Sequence, residues 1–311
     1  MEANLPLISV VLCTYNGEKY LAQQLDSILI QTYTNLEILI SDDVSTDKTM
    51  EILKAYNKKD KRIRICQNSH NLGFNKNFEK AVSLAGADWI AIADQDDIWL
   101  PHKLMALYKS VAPDTLLIHS YNAEFKNDDP SKIFTNRSRI RFVGNKTRQL
   151  IFYNTISGHT MLFHKKLLSS SLPFQDGVYY DWWMGIQASL QSNIQLHDEA
   201  LVLHRQHESN FSHVNKTISL EESKAVFFRQ RLHTLQCFRQ IKNLTKEDKD
   251  LLTEYTKILE KESKKSFSLR VFFFFLKHSR SAFYYRKKKF MFFYYLKYSL
   301  KKATMKVENW T

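Results

Sequence analysis

Apolar residues in the first third of the chain fall into short blocks separated by polar loops, and the blocks alternate between two spacings. Residues 7–13 (Leu-Ile-Ser-Val-Val-Leu-Cys) form a nearly continuous apolar run rich in β-branched side chains, the pattern of a strand covered on both faces. Leu21, Leu25, Ile28 and Leu29 then fall on one helical face, with Asn16 offering an N-cap. The grammar repeats. Residues 36–41 read as a strand, Ser45 or Thr46 as a cap, and Met50, Ile52, Leu53 and Tyr56 as the inward side of a second helix. A third strand is expected over 62–66, a third helix over 75–85, and a fourth strand over 88–93 that ends in acids. Such alternation predicts an α/β fold, a mostly parallel sheet flanked by helices.

From about residue 115 the alternation weakens. Strands are expected at 115–120, 160–163 and 200–205, a helix from near Asp181, and a long polar loop over 122–145. Beyond residue 217 the pattern is helical to the end, with Lys246-Glu247-Asp248-Lys249-Asp250 as a charged break between helices.

Charge changes the picture in one place. The 45 Lys+Arg exceed the 32 Asp+Glu by 13, and residues 261–302 alone hold thirteen Lys/Arg against Glu262. Fourteen Phe/Tyr are interleaved with them between Phe267 and Tyr298. That combination suits a helix lying in the headgroup region of an anionic membrane surface. Packing of the aromatics, lysines that only solubilise the helices, and a homodimer contact are the alternatives. No RNA-binding fingerprint accompanies the patch, so no nucleic-acid partner is expected. Cys13, Cys66 and Cys237 show no C-x-x-C spacing, which fits a reducing compartment better than a disulfide or zinc framework. The N-terminal residues do not read as a secretory signal, and no apolar run is long enough to span a bilayer. A cytoplasmic protein, soluble or peripheral on the inner face of the plasma membrane, is expected.

Ligands of open α/β sheets sit at the carboxyl ends of strands. The loops there are 14–17, 42–47, 68–77 and 94–97, all polar and two of them acid-rich. Three carboxylates in Asp94-Gln95-Asp96-Asp97 repel one another unless a cation sits among them, and hard oxygen ligands suit Mg2+ or Mn2+. A solvated acidic turn is the bland alternative. No G-x-G-x-x-G follows the first strand and no P-loop motif occurs, which argues against a dinucleotide dehydrogenase or a P-loop NTPase.

Val10 to Asn16, Ser41 to Asp47 and Asp94-Gln95-Asp96-Asp97-Ile98-Trp99 resemble the three landmarks of family 2 glycosyltransferases, which have the GT-A fold. Residues 156–160 (Ile-Ser-Gly-His-Thr), 180–183 (Tyr-Asp-Trp-Trp) and 204–210 (His-Arg-Gln-His-Glu-Ser-Asn) resemble segments of its bacterial rhamnosyltransferase-like branch, which acts in cell-surface polysaccharide synthesis. The resemblance covers about residues 6–211. It implies a GT-A domain over 1–215, with a nucleotide-sugar half to about 100 and an acceptor half from about 101. A helical, membrane-docking region would occupy 216–311.

Carried over by position, the resemblance implies that Thr14, Tyr15 and Asn16 line the nucleotide of a dTDP- or UDP-linked sugar donor and that Asp42 accepts the pyrimidine N–H. A turn or cap role competes for Asp42 and Asp43. Asn75 and Asn77 would line the nucleotide site or cap the third helix. Asp94 would face the ribose, Asp96 would bind Mn2+ or Mg2+, His207 would complete the metal shell, and Asp97 would only hold the loop. Asp181 would be the general base of an inverting transfer. Trp182 and Trp183 would wall the base and stack on the sugar acceptor, or form core behind a helix-start acid. His159, where the family has a small residue or Cys, would shape the acceptor side. Val44, His204 and Glu208 also depart from the family pattern. The Gln-x-x-Arg-Trp signature of processive members is absent, so addition of one sugar, possibly rhamnose in that branch, to a glycan or lipid-linked acceptor is expected. A nucleotidyltransferase-like enzyme and a non-catalytic membrane or nucleic-acid adaptor are the competing readings.

Overall fold

The computed structural model describes residues 5–126, 128–134, 139–207, 220–262, 267–286 and 291–304. The first half runs β1 (Ile8–Thr14), α1 (Leu21–Leu29), β2 (Leu36–Asp42), α2 (Thr49–Lys59), β3 (Ile63–Gln67), α3 (Phe74–Ser83), β4 (Trp89–Ala93), β5 (Ile98–Trp99) and α4 (Lys103–Lys109). It continues through β6 (Leu117–Lys126), β7 (Ile133–Phe134), α5 (Thr147–Phe152), β8 (Met161–His164), α6 (Leu168–Ser171), α7 (Tyr180–Ser189) and β9 (Gln195–Gln206). Five helices follow: α8 (Leu220–Arg239), α9 (Lys246–Glu262), α10 (Leu269–Lys277), α11 (Ser279–Ala282) and α12 (Met291–Thr304).

The strands join in one sheet of order β3-β2-β1-β4-β8-β6-β9-β5, with β7 added beside β6. β1 is buried along its whole length because β2 and β4 flank it in parallel and helices cover both faces. Its side chains alternate: Val10 and Leu12 enter the core shared with α1 and α4, while Val11 and Cys13 enter the core shared with α3. After β4 the ladder reverses, since β8 pairs antiparallel with both β4 and β6. β9 runs parallel to β6 and antiparallel to the two-residue β5. That last pairing sets the acidic loop before β5 beside the end of β9.

The polar stretch 122–145 is more ordered than a loop. β6 extends to Lys126 because Tyr121, Ala123 and Phe125 alternate inward; residues 127 and 135–138 lie outside the described residues. The charged run 246–250 opens α9 instead of separating helices, with Glu247 and Asp248 in the first turn, where helix N-termini favour acids. The connection between α8 and α9 lies just before it, at residues 240–245.

The C-terminal helices share a core with the sheet. Phe152 of α5 meets Tyr255, Phe274 and Phe275 at ring-centroid distances of 5.2–6.1 Å. The start of α10 meets the end of α12, where the Ser268 N–H donates to the Ala303 carbonyl at 3.0 Å. Among the described residues, no helix is long and apolar enough to cross a membrane.

Candidate active site

The loops leaving β1 and β2 are stitched together. The backbone N–H of Asn16 donates to the Ser45 hydroxyl at 2.9 Å, and the Thr46 N–H donates to the Asn16 side chain at 2.8 Å. Gly17 donates to Thr49 Oγ1, Glu18 to Asp47, and Lys48 back to Glu18. These side chains are therefore spent on the neighbouring loop, and neither Asn16 nor Ser45 nor Thr46 caps a helix; α1 begins after Tyr20 and α2 after Lys48. Asn16 and Val44 both sit at positive φ, 48° and 64°. Asn tolerates that region, whereas β-branched Val is strained there.

Asp42 is fully buried and accepts from the Thr14 hydroxyl (2.9 Å), the Ser45 N–H (3.0 Å), the Ser45 hydroxyl and the Gln67 amide (3.3 Å). The carboxylate expected to read a pyrimidine N–H is thus committed to holding its own loop. Asp43 is equally enclosed, taking the Asn68 amide and the N–H groups of Leu72 and Gly73. Asn75 and Asn77 do not cap α3, whose N-cap is Gly73 at φ 78°. Asn75 donates to the Val178 carbonyl and accepts from the Tyr180 N–H, tying α3 to the start of α7. Asn77 bridges Ser41 and Asn68. Of the nucleotide-side residues, Tyr15 is open, 50% exposed, and its backbone is gripped in both directions by the Gln95 amide.

In the acidic loop each carboxylate has a different partner. Asp94 lies 3.1 Å from His159 Nδ1, and Asp96 lies 2.9 Å from His207 Nε2. Asp97 has no solvent exposure. Its Oδ1 accepts the Arg205 N–H at 3.1 Å, and its buried Oδ2 has no hydrogen-bond partner, the nearest cationic atom being His159 Nδ1 at 3.7 Å. Burial pushes the Asp97 carboxyl up to about 7, against the pull of His159 and with the help of Asp94 and Asp96. Burial also resists charge at Asp94, yet the His159 hydrogen bond and nearby cations hold its pKa below the ordinary value. His159 is raised in turn: burial disfavours its charge, and Asp97 and Asp94 outweigh that. Ligand atoms of Asp94, Asp97 and His159 lie within 4.8 Å of one another.

These residues fit a divalent cation. Carboxylate oxygens and imidazole nitrogens suit Mn2+ or Mg2+, and the orphaned Asp97 oxygen is a buried acceptor that a cation would satisfy. Two sets could hold it: Asp96 with His207, or Asp94 and Asp97 with His159.

Asp181 opens α7, and burial raises its carboxyl to about 7; Asp94 adds to the rise, while backbone N–H groups of Trp182 and Gly158 moderate it. Asn154 donates to its Oδ1 at 3.2 Å. Gly158 is required next to it, because a Cβ there would run into the Tyr180 hydroxyl and lie 2.6 Å from its Cζ. Tyr180 cannot yield, being packed against Phe74, Phe78 and Phe174.

Trp183 is buried in the core, and Trp182 packs half-buried against it. Their indole N–H groups donate to the carbonyls of Leu150 and Ser171, both rings meet Phe238 of α8, and Arg231 lies over Trp182. Trp183 is therefore core, as the packing alternative has it, whereas Trp182 keeps part of its ring exposed. His159, only 7% exposed, is bound into the acidic cluster; it stacks on His204, which burial and His159 hold down to about 3.

Two buried basic side chains give no sign of their burial in the sequence, and burial pushes the Lys103 amine well below its ordinary pKa. Arg205 donates to the Asp96 carbonyl at 2.9 Å, to Asp128 at 2.8 Å and to Gln23, and lies over the Tyr20 and Phe125 rings. Lys103, fully buried, donates to the His159 carbonyl at 2.6 Å and sits 3.2 Å from the centre of the Trp99 ring. The His-Arg-Gln-His segment was visible; that its Arg aims back at the acids was not.

The model of the family described as glycosyl transferase family 2 matches residues 9–172. The chain belongs to this family. An uncharacterized glycosyltransferase of Haemophilus influenzae is 29% identical over 244 residues, covering 72% of each chain. A UDP-Glc:alpha-D-GlcNAc-diphosphoundecaprenol beta-1,3-glucosyltransferase of Escherichia coli is 29% identical over 58% of this chain and 69% of its own. A dTDP-rhamnosyl transferase of Shigella flexneri is also 29% identical, over 64% and 72%. Among solved structures, S. aureus TarS 1-349 in complex with UDP-GlcNAc superposes with a TM-score of 0.62 over 88% of this chain and 81% of that one, at 19% identity, which shows a shared fold.

In this family 2 glycosyltransferase, the matched span includes the stitched loops, the acidic loop and Gly158. Asp181, Arg205 and His207 lie beyond it and reach the acidic loop through α7 and β9.

Proposed function

We propose that the chain is an inverting, metal-dependent glycosyltransferase. It adds one sugar from a nucleoside diphosphate donor to a hydroxyl of a glycan or lipid-linked acceptor during cell-surface glycan synthesis, at the cytoplasmic face of the plasma membrane. The observation that carries this reading is the setting of Asp181: a half-buried carboxyl at the start of α7, held by Asn154 at 3.2 Å, facing Gly158, and pushed up to about 7 by desolvation with a contribution from Asp94 of the acidic loop. Asp181 takes the acceptor hydroxyl proton as that oxygen bonds to the anomeric carbon, while the bond to the diphosphate oxygen breaks on the opposite face. Asn154 orients the base, and Asp94 keeps its proton affinity high. Asp96 and His207 would hold the cation, with Asp94, Asp97 and His159 as the second set. When bound, it supplies Lewis-acid stabilisation of the charge on the departing nucleoside diphosphate. Tyr15 and the stitched loops form the nucleotide side. The relatives include a UDP-glucose and a dTDP-rhamnose transferase, which supports a pyrimidine nucleotide donor.

A donor screen tests the reading. Purified protein with Mn2+ or Mg2+ is incubated with each of several UDP- and dTDP-sugars, with and without lipid-linked acceptor. Nucleoside diphosphate release and the anomeric configuration of the product are then measured. Folded protein that neither binds nor cleaves any donor would sink it, and a product retaining the donor's configuration would remove Asp181 as the base.

A further inference from the structure

The C-terminal aromatics divide into two sets. Phe274, Phe275, Phe283, Tyr285 and Tyr294 are buried against the rest of the protein. Phe273 of α10 and Phe292 and Phe293 of α12 are 61%, 70% and 71% exposed.

The exposed set is ordered along the helices. On α12, Phe292 and Phe293 are followed by Leu296 and Leu300 at intervals of one turn, and exposed Lys297 and Lys301 run immediately beside them. Tyr294, Ser299 and Ala303 face inward on the same helix. α12 is therefore apolar on the side that already has its packing partners and again along a stripe that faces outward. α10 repeats the arrangement with exposed Leu269 and Phe273 beside Arg270 and Lys277. Solvated helices put polar residues there, and contiguous exposed apolar stripes rimmed by charge mark a docking surface.

Charge selects the occupant. No Asp or Glu occurs from residue 263 through 307. Lys277 is paired with Glu254 of α9 at 3.4 Å, but Arg270, Lys297 and Lys301 still give the face a cationic excess, so a second copy of the chain docked symmetrically on it would set cations against cations. An anionic leaflet offers hydrocarbon for the stripe and headgroup phosphates for the lysines.

We infer that the outer faces of α10 and α12 dock on an anionic bilayer surface, with Phe273, Phe292, Phe293 and Leu296 entering the headgroup–acyl boundary. The docked helices are tied to the catalytic side. The Tyr285 carbonyl accepts the Ile140 N–H at 2.7 Å, and the Tyr284 hydroxyl donates to the Tyr153 carbonyl at 2.9 Å, next to the Asn154 that holds Asp181. Docking thus fixes how the acceptor side of the site meets the membrane. The docking itself does not depend on the transferase reading, because the test below requires no turnover; its bearing on an acceptor rests on that reading.

The test is flotation of the full chain with vesicles of phosphatidylcholine alone or mixed with phosphatidylglycerol, at low and high salt. Wild type should float with the mixed vesicles and lose binding with salt. Phe292→Ser with Phe293→Ser should lower partitioning by roughly tenfold or more, because binding scales with the apolar area buried. Lys297→Glu with Lys301→Glu should weaken the preference for anionic lipid while leaving the apolar stripe intact, and an unchanged preference would overturn the assignment of the docking face to α12. Circular dichroism of both variants should match wild type, since all four side chains are exposed. Equal flotation with neutral vesicles, no flotation at all, or unchanged flotation of the Phe variant would each overturn the inference. So would a dimer dissolved by the Phe variant in a protein that ignores vesicles, which would assign the face to a second copy.

Discussion

Asn154 Nδ2 donates to Asp181 Oδ1 across 3.2 Å, fixing the carboxyl at the start of α7 against the segment that also carries Gly158 and His159. An amide donor orients the carboxyl while favouring its ionised form less than a cationic partner would, as a base in the proposed role requires.

Replacing Asp181→Asn should therefore cut transfer by about 10²–10⁴-fold with little change in donor affinity. Wild-type transfer should rise with pH through about 7, where the Asp181 carboxyl loses its proton, and the residual rate of the variant should lack that limb. Stability should move the other way. The folded pKa lies above the ordinary 3.8, so this group's contribution to stability is fully present below that value and lost as the pH rises to about 7. At pH 8 the Asn variant should melt higher than wild type, with the difference shrinking as the pH falls toward 4. Both trends can be read from initial rates and thermal melts across one buffer series.

His207→Ala should raise the Mn2+ concentration needed for half-maximal transfer by at least about tenfold. Chelation should abolish transfer, and added Mn2+ should restore it. An unchanged metal titration in the variant would move the assignment to Asp94, Asp97 and His159.

Gly158→Ala should destabilise the fold by about 1–3 kcal/mol, because the new methyl overlaps Tyr180 inside a packed aromatic cluster. Adding Tyr180→Phe should recover only part of the loss, since the ring Cζ itself lies 2.6 Å from the new atom. Denaturant midpoints of the single and double variants decide this.

Val44→Gly should stabilise the protein by about 1 kcal/mol, since a β-branched residue at φ 64° gives way to one at ease there. A lower melting temperature would mean that the Val44 side chain contributes packing that outweighs its backbone strain.

The strands β1 to β4 were legible because each is a short apolar run closed by a polar loop, and a parallel sheet covered on both faces needs little else from its sequence. The helix starts were not. Asn16, Ser45 and Thr46 have the chemistry of caps, but three-dimensional proximity offered them the neighbouring loop, and no local pattern shows that choice. In the site, the three acids stood out as residue types at a strand end, whereas Asp181 and His207 were legible only through the family resemblance. Trp182 and Trp183 were open to both readings, because an aromatic after an acid reads alike whether its ring meets a sugar or Phe238. Arg205 and Lys103 were hidden for a related reason: a basic residue in a strand or helix looks solvated until a tertiary contact buries it.

The stitched loops after β1 and β2 carry a consequence for how such sequences change over time. Asn16 and Thr46, or Glu18 and Lys48, are about thirty residues apart in the chain and share hydrogen bonds. Each of these bonds runs from a backbone N–H of one loop to a side chain of the other, so losing the side chain leaves a main-chain donor unmet across the gap. Asn16 and Glu18 should therefore resist replacement, whereas Lys48, which lends its main chain to the bond, should vary more freely.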